Sequence, residues 1–470
     1  MVEKIENQKY KREITSIERL FSWSPFSIVT MVARIKGDVS ESTLREAVSK
    51  AQQRHPNLRV RIIQDENGDP WFTSEGAGEI PIEIVQREST DQWIQLVQES
   101  CRAPFEFDEQ PAVRFILVHS PEVSELIILC FHILCDGLSL AYLARDLMQH
   151  LGDPTREVEI LPDPVPIDRQ NIPEEVSLNF ISRYAIGRMN KKWEAEKVIF
   201  DQVDYEDLTA TYWMNYIHQV MPVELSEEQT AELVKRCRKE EVTVNSALAA
   251  AFIGAQVIVQ GQQPFHSTVG VAASLRDRIQ VPIGEVMGFY AGVAQMDYKY
   301  KKNTPFWQNA RQFHRLAKSR INNKNLFQGL LSWCYLQPTI LESMNFKRLG
   351  GLVPVHFDRY QKLSDFSKRD DVVQSILKRG KMDSLDKIIM GTAVTNLTRM
   401  DFPRKYGDLE LDRLIMKPGG AFPMVNANLV LGAVTCSGKL SLLIEYVEDN
   451  IDIETMKKIK EVAMDFLLNE

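Results

Sequence analysis

Cysteine is sparse in this 470-residue sequence: six residues, Cys101, Cys130, Cys135, Cys237, Cys334 and Cys436, with no C-x-x-C pair among them. The spacing excludes a disulfide framework and the paired thiols of a zinc ribbon, and reads as reduced thiols in a cytoplasmic protein. Long apolar runs are missing too. None reaches the ~18 residues of a membrane-spanning helix. The N-terminal run MVEKIENQKYKREI is charged throughout, unlike a secretory signal. There is no basic surplus: 56 Lys and Arg stand against 64 Asp and Glu, a formal charge of −8. That argues against nucleic acid as the main partner, because neutralising phosphates takes cations. Solenoid-period repeats, long low-complexity tracts and a G-x-S-x-G nucleophile elbow are all absent.

What is present is the composition of a soluble globular protein, 44% hydrophobic and 26% charged, with enough length for two domains. The clearest seam is LGDPTREVEILPDPVPIDRQNIPEE, residues 151–175, with prolines at 154, 162, 164, 166 and 173. Such proline density prevents helix and central strand alike, so the segment reads as an extended linker. The division expected is a first lobe over 1–152, a linker or crossover over 153–208, and a second lobe over 209–470.

Strand and helix patterns alternate on both sides of the seam. In the first part SIVTMVARIK, AVRFILVH and ELIILCFH read as strands, and Leu44, Ala47, Val48 and Ala51 recur at helical spacing. In the second, Ser226 and Gln229 form a capping box ahead of a helix, TVNSALAAAFIGAQVIV reads as a buried helix, and NLVLGAVT and KLSLLIEYV read as strands. The class expected is α/β, with an α/β sandwich in each half.

The chemistry concentrates in ELIILCFHILCDGLSLAYLARDL, where an apolar strand runs into His132, Asp136 and Gly137 follow, and a helix starts at once. A His at the end of a buried strand is held rigidly. The Gly suits a tight turn or a positive φ, and Ser139 falls where a hydroxyl caps free N–H groups. Several readings of these residues stand side by side: a packed rim histidine, a metal site shared by His132 and Asp136, a Cys135 nucleophile activated by His132, and a catalytic base. No third metal-ligand cluster is visible, and Cys135 lies across a turn from His132.

The run FHILCDGLS also resembles the H-x-x-x-D-G signature of the chloramphenicol-acetyltransferase-like superfamily. That group includes condensation domains, alcohol acyltransferases and polyketide-associated acyltransferases. Four further segments resemble it in the same order. They are 37–62 with its Arg-His-Pro-x-Leu-Arg run at Arg54 to Arg59, 243–252, 271–292 with an arginine ahead of a Gly-Phe floor loop, and 395–407. The resemblance implies two similar α/β lobes forming a pseudo-dimer around a tunnel.

It also implies an acyltransferase that moves an acyl group from a thioester to an alcohol or amine, without a covalent acyl-enzyme. The donor is acyl-coenzyme A or a phosphopantetheinyl acyl carrier protein, and no bound cofactor or metal is expected. His132 is the general base, its unperturbed pKa near operating pH. Asp136 is a structural residue of the turn, paired with an arginine of the second lobe: Arg276 first, Arg278 second. Tyr290 and Asn396 are candidates for substrate contact.

The sequence also departs from the family pattern. Peptide-forming relatives usually carry His-His where Phe131 and His132 stand, which favours an ester over an amide product. Thr398 stands where a Gly is common. The alternatives are a non-catalytic binding module on the same scaffold, a free-standing amide-forming condensation protein, and an epimerising or cyclising condensation-type domain cut from a synthetase. A monomer is expected, since both lobes lie in one chain. The run RYAIGRMNKKWEAEK, basic with Tyr184 and Trp193, suits either a solvated helix face, a carrier-protein docking face or a membrane-surface contact.

Overall fold

The computed structural model describes residues 10–419 and 426–469. Most of the charged N-terminal run, residues 1–9, therefore lies outside the described residues. The first part contains β1 (Lys11–Glu13), α1 (Ser16–Arg19), β2 (Ile28–Lys36), α2 (Glu41–Arg54), β3 (Arg61–Gln64), β4 (Pro70–Thr73), β5 (Ile82–Gln86), α3 (Gln92–Ser100), β6 (Val113–His119), β7 (Val123–Phe131) and α4 (Gly137–Gly152). Neither helix nor strand occurs between 153 and 179, as five prolines in the segment dictate. Then come α5 (Phe180–Glu196), α6 (Gln202–Asn215), β8 (His218–Glu224), α7 (Glu227–Lys239), α8 (Val244–Val259), β9 (Thr268–Ser274) and β10 (Ala291–Asp297). A helical stretch follows with α9 (Phe306–Arg320), α10 (Asn323–Tyr335), α11 (Pro338–Leu349), α12 (Tyr360–Lys368) and α13 (Val372–Arg379). The chain closes with β11 (Met390–Met400), β12 (Lys405–Tyr406), β13 (Leu409–Lys417), β14 (Ala427–Cys436), β15 (Lys439–Val447) and α14 (Ile453–Leu468).

Two six-stranded sheets organise the described residues, in the orders β12-β13-β2-β7-β6-β5 and β10-β9-β11-β14-β15-β8. The first is antiparallel except for β5 beside β6. In the second, β11 runs parallel to both β9 and β14, and the remaining pairs are antiparallel. α2 and α4 pack together, with α4 against β2 and β13. In the second half α8 packs between α14 and α9 and against β11. α8 is apolar nearly all round and correspondingly buried from Ser246 to Val257. This is the expected α/β architecture of two lobes, each a sheet layered with helices.

The route between the lobes was not legible in advance. After β11 the chain leaves the second sheet, and β12 and β13, residues 405–417, pair into the first sheet beside β2. Residues 401–407, the end of the resembling segment 395–407, start this crossover. β13 then passes close over the second sheet at Gly432, where a Cβ would stand 2.2 Å from the Met416 carbonyl oxygen. Only a residue without a side chain allows that approach. A helix over Gln202–Asn215 runs up to the strand that starts at His218. Among the described residues no single helix is long and apolar enough to cross a membrane.

Candidate active site

β7 ends at Phe131, and alternation along the strand separates the two residues that follow the apolar run. Phe131 is fully buried against Phe105, Phe107 and Tyr205. His132 lies outside that aromatic cluster and stays half-buried. Its backbone N–H donates to the Ser27 carbonyl at 2.8 Å, which ties the site to β2's approach. The Nδ1–H donates to the Cys135 carbonyl at 2.7 Å. That bond turns Nε2 into the unprotonated nitrogen of the neutral ring and fixes the ring's orientation. Phe21 lies tilted against the ring at 4.5 Å between centroids, and Phe289 meets it edge-on at 5.2 Å. Burial pushes the His132 pKa below the ordinary imidazole value, while the Cys135 carbonyl and Asp136 pull it partly back.

Cys135 does not serve as a nucleophile in this arrangement. It is fully buried, its thiol reaches the carbonyls of Cys130 and Phe131, and burial raises its pKa well above the thiol norm. His132 contacts its carbonyl oxygen instead of its sulfur. Among the described residues no three His, Cys, Asp or Glu side chains converge as a metal would require.

Asp136 is the N-cap of α4: its Oδ1 accepts from the Ser139 N–H at 2.8 Å. The same oxygen is 3.0 Å from Arg276 Nη2, and Oδ2 accepts from the Tyr290 N–H at 3.2 Å. Arg276 is itself buried and donates through Nη1 to the carbonyls of Gly284, 3.0 Å, and Val286, 2.7 Å. Arg278 instead donates to Asn323. The turn after β7 and the 284–290 loop are thus joined through one charged pair with most of its hydrogen-bonding capacity met.

Gly137 sits in the first turn of α4 with a negative φ, so its role is space and not a left-handed turn. A Cβ there would come within 2.6 Å of Met416 Sδ on the crossover strand. Tyr290 is a packed residue. Its ring is buried under the Arg276 guanidinium at 4.8 Å, and its hydroxyl donates to the Val165 carbonyl of the proline-rich segment. Asn396 lies on β11 and lines a cavity of about 1400 Å³ bounded by α7, the start of α8 and α9. His132 is not among the residues lining it. The Asn396 Oδ1 accepts from the Thr398 N–H at 2.7 Å, and Thr398 takes φ +64° where β11 bulges.

Ser139 was read only as a helix cap, and three groups of contacts escaped sequence reading. The Ser139 hydroxyl accepts from Arg276 Nη2 at 2.8 Å and from the Gly288 N–H at 3.2 Å, beside Asp136. Its position three residues past an acidic N-cap was the available signal, but the partners come from the other lobe. The Arg-His-Pro run supplies the second group. Asn57 donates to the carbonyls of Leu134, 3.2 Å, and Met287, 3.0 Å. Arg54 bridges Asp146 at 2.8 Å and Glu285 at 3.0 Å, with His55 3.0 Å from Asp146. Burial alone would raise the Asp146 carboxyl; the His55 bond and the charges of Arg145 and Arg54 hold it at about 2. The third group is a buried chain across the seam, in which Lys417 of β13 meets Glu445 of β15 at 2.8 Å, with His218 3.5 Å beyond.

Family comparison agrees with this architecture. Residues 12–159 match the Condensation domain model, and residues 216–312 match the model of the phthiocerol/phthiodiolone dimycocerosyl transferase C-terminus. The chain is 23% identical over 316 residues to cyclosporin synthetase of Tolypocladium inflatum, covering 64% of this chain and 2% of that protein. Among solved structures, trichothecene 15-O-acetyltransferase of Fusarium sporotrichioides aligns with a TM-score of 0.60 at 11% identity, covering 98% of this chain and 96% of that one. Polyketide synthase associated protein 5 of Mycobacterium tuberculosis aligns with a TM-score of 0.57 at 14% identity, covering 97% and 98%. At such identities the structural likeness establishes the fold.

A two-lobed α/β protein with a strand-end His and a cross-lobe Asp–Arg pair is the class defined by fold and site. In sequence the chain is similar to condensation domains over residues 12–159 and to the C-terminal part of the phthiocerol/phthiodiolone dimycocerosyl transferase over residues 216–312.

Proposed function

We propose that the chain transfers an acyl group from a thioester to a hydroxyl or amine acceptor, with His132 as the general base. The observation that carries the reading is the Nδ1–H bond to the Cys135 carbonyl, which leaves the Nε2 lone pair of this half-buried ring uncommitted. An acceptor O–H or N–H donates to Nε2 while its heteroatom attacks the thioester carbonyl carbon. Collapse of the tetrahedral adduct breaks the C–S bond, and the proton held on His132 goes to the departing thiolate. The products are ester or amide and free thiol, with no acyl-enzyme and no resident cofactor. Phe21 and Phe289 keep the ring in apolar surroundings, which supports a neutral base near pH 7.

Donor and acceptor reach His132 from opposite faces of a tunnel between the lobes in this reading. The donor is acyl-coenzyme A or a phosphopantetheinyl carrier protein. The cavity lined by Asn396 is the proposed berth for part of its arm: its lining includes the apolar Val234, Val242 and Phe402 and the cationic Lys235, Arg238 and Lys318. Both lobes come from one chain, which supports a working monomer. Phe131, where peptide-forming relatives usually carry a His, supports an ester product over an amide, and the residue itself is packed in the core. A panel of alcohols and amines decides between ester and amide products.

The second reading is an amide-forming condensation unit, favoured by the Condensation match over 12–159 and the likeness to a peptide synthetase. Replacing His132 by Ala tests the shared mechanism. The variant is expected to fold, to keep its melting temperature within a few degrees, and to lose transfer from acyl-thioesters followed by thiol release. Transfer at the wild-type rate by the folded variant would remove His132 from the mechanism.

A further inference from the structure

α5 joins the proline-rich segment to α6, and its surface does not match the rest of the molecule. Phe180, Ile181 and Tyr184 are 80%, 77% and 60% exposed. Phe180 and Tyr184 stack on each other with ring centroids 6.4 Å apart, in solvent. Positions 180, 184, 188, 191 and 195 follow one another at helical spacings of three and four, and 181 and 192 flank them on the same side. That side therefore carries Phe180, Ile181 and Tyr184 over its first turns and Arg188, Lys191 and Lys192 over its last. The opposite side carries Ile186 and Met189 against the core and the buried Trp193, whose indole donates to Thr339 at 2.8 Å. The helix is anchored by its inner face while three large apolar side chains project outward. Isolated exposed apolar residues are ordinary; three together at 60–80% exposure are not.

We propose that this outward face of α5 docks the protein on an anionic phospholipid surface. The exposure and the charge both point to a membrane interface. The apolar residues stand 60–80% exposed on the outer face of a helix anchored by its inner face, which suits insertion among acyl chains and lipid headgroups. The basic residues lie beside it along the same face, in a chain whose formal charge is −8. A local cationic stripe flanking aromatic and aliphatic side chains is the pattern of an interfacial helix, where apolar insertion and attraction to anionic lipid act together. The inference is independent of the assignment of His132, because it uses no residue of that site.

Sedimentation of the full chain with vesicles tests it. The wild-type protein is expected to bind vesicles of phosphatidylcholine mixed with phosphatidylglycerol, to bind phosphatidylcholine alone far more weakly, and to be released by raised salt. Phe180→Ser/Ile181→Ser/Tyr184→Ser should lower the partition coefficient by about tenfold or more. Arg188→Glu/Lys191→Glu/Lys192→Glu should remove the preference for anionic vesicles. All six residues are exposed, so circular dichroism and melting temperature are expected to stay unchanged. No vesicle binding by the wild-type chain, or equal binding by both variants, overturns the proposal. So does a wild-type dimer that the apolar triple variant converts to monomer, since a second copy then covers the face. Loss of carrier-protein binding in the variants without vesicle binding in the wild type also overturns it, in favour of an acidic protein partner.

Discussion

Arg276 reaches from the loop after β9 to the N-cap of α4 and places Nη2 3.0 Å from Asp136 Oδ1, with both side chains buried. The pair fixes the turn that follows His132 to the 284–290 loop of the other lobe. Removing Arg276 leaves a carboxylate buried without its partner. Arg276→Ala is expected to destabilise the fold by about 3–5 kcal/mol, because the desolvated Asp136 loses its compensation. Ser139→Ala, which keeps the charge pair, is expected to cost about 1–3 kcal/mol. Urea unfolding of both variants measures the two values, and equal losses would show that the charge pair carries no special weight.

The His132 pKa gives a pH dependence with a defined sign. Burial places the folded value below 6.5, so the folded state prefers the neutral ring. The proposed base therefore stays unprotonated through neutral pH, and the acid limb of kcat/KM should fall below pH 6.5. Stability follows the same direction. This residue adds no penalty above the unfolded pKa, and it makes stability decline as pH falls from about 6.5 toward the folded value, where the unfolded chain binds the proton first. Rate profiles and the chemical shift of the His132 ring report both effects. An acid limb above 6.5 would contradict the assignment.

Thr398 holds φ +64° at the β11 bulge, a conformation that a β-branched residue resists. Thr398→Gly relieves roughly 1–2 kcal/mol of backbone strain but adds roughly 0.5–1 kcal/mol of unfolded-state entropy. A small net gain in stability, about 0.5–1 kcal/mol, is expected by thermal or urea unfolding. A clear loss would mean that the Thr398 side chain makes a contact worth more than the strain.

The Lys417–Glu445 pair ties the crossover strand to the second sheet at 2.8 Å, out of contact with water. Burial works against both charges. Lys417 nonetheless keeps a raised pKa beside Glu445, and Glu445 is held at about 2 chiefly by Lys417. Lys417→Met alone is expected to destabilise by about 3–5 kcal/mol, and pairing it with Glu445→Leu to recover most of that loss. A double variant no better than the single one would show that the pair's shape, not its charge balance, matters.

Much of the site was legible because it is local. His132, Asp136 and Gly137 lie within six residues, and the strand before them and the helix after them announce themselves by apolar pattern. Gly137 was read for its backbone freedom, whereas the structure uses its lack of a side chain beside Met416. Tyr290 was read from its loop, whose identity does not say which way an aromatic ring turns. The Arg276 contact of Ser139, and Asn57 and Glu285 altogether, were missed for one reason: each acts through partners more than 130 residues away or in the other lobe.

The sequence by itself determined the elements, the α/β class, the extended proline-rich connection and the strand-end histidine. All of these follow from short-range pattern, backbone restriction and burial. Tertiary structure alone decided that β12 and β13 return to the first sheet, that Arg276 and not Arg278 meets Asp136, and that Nδ1 of His132 is spent on the Cys135 carbonyl. Those choices depend on which surfaces two lobes bring together, and on the cost of leaving any charge or N–H unpaired between them.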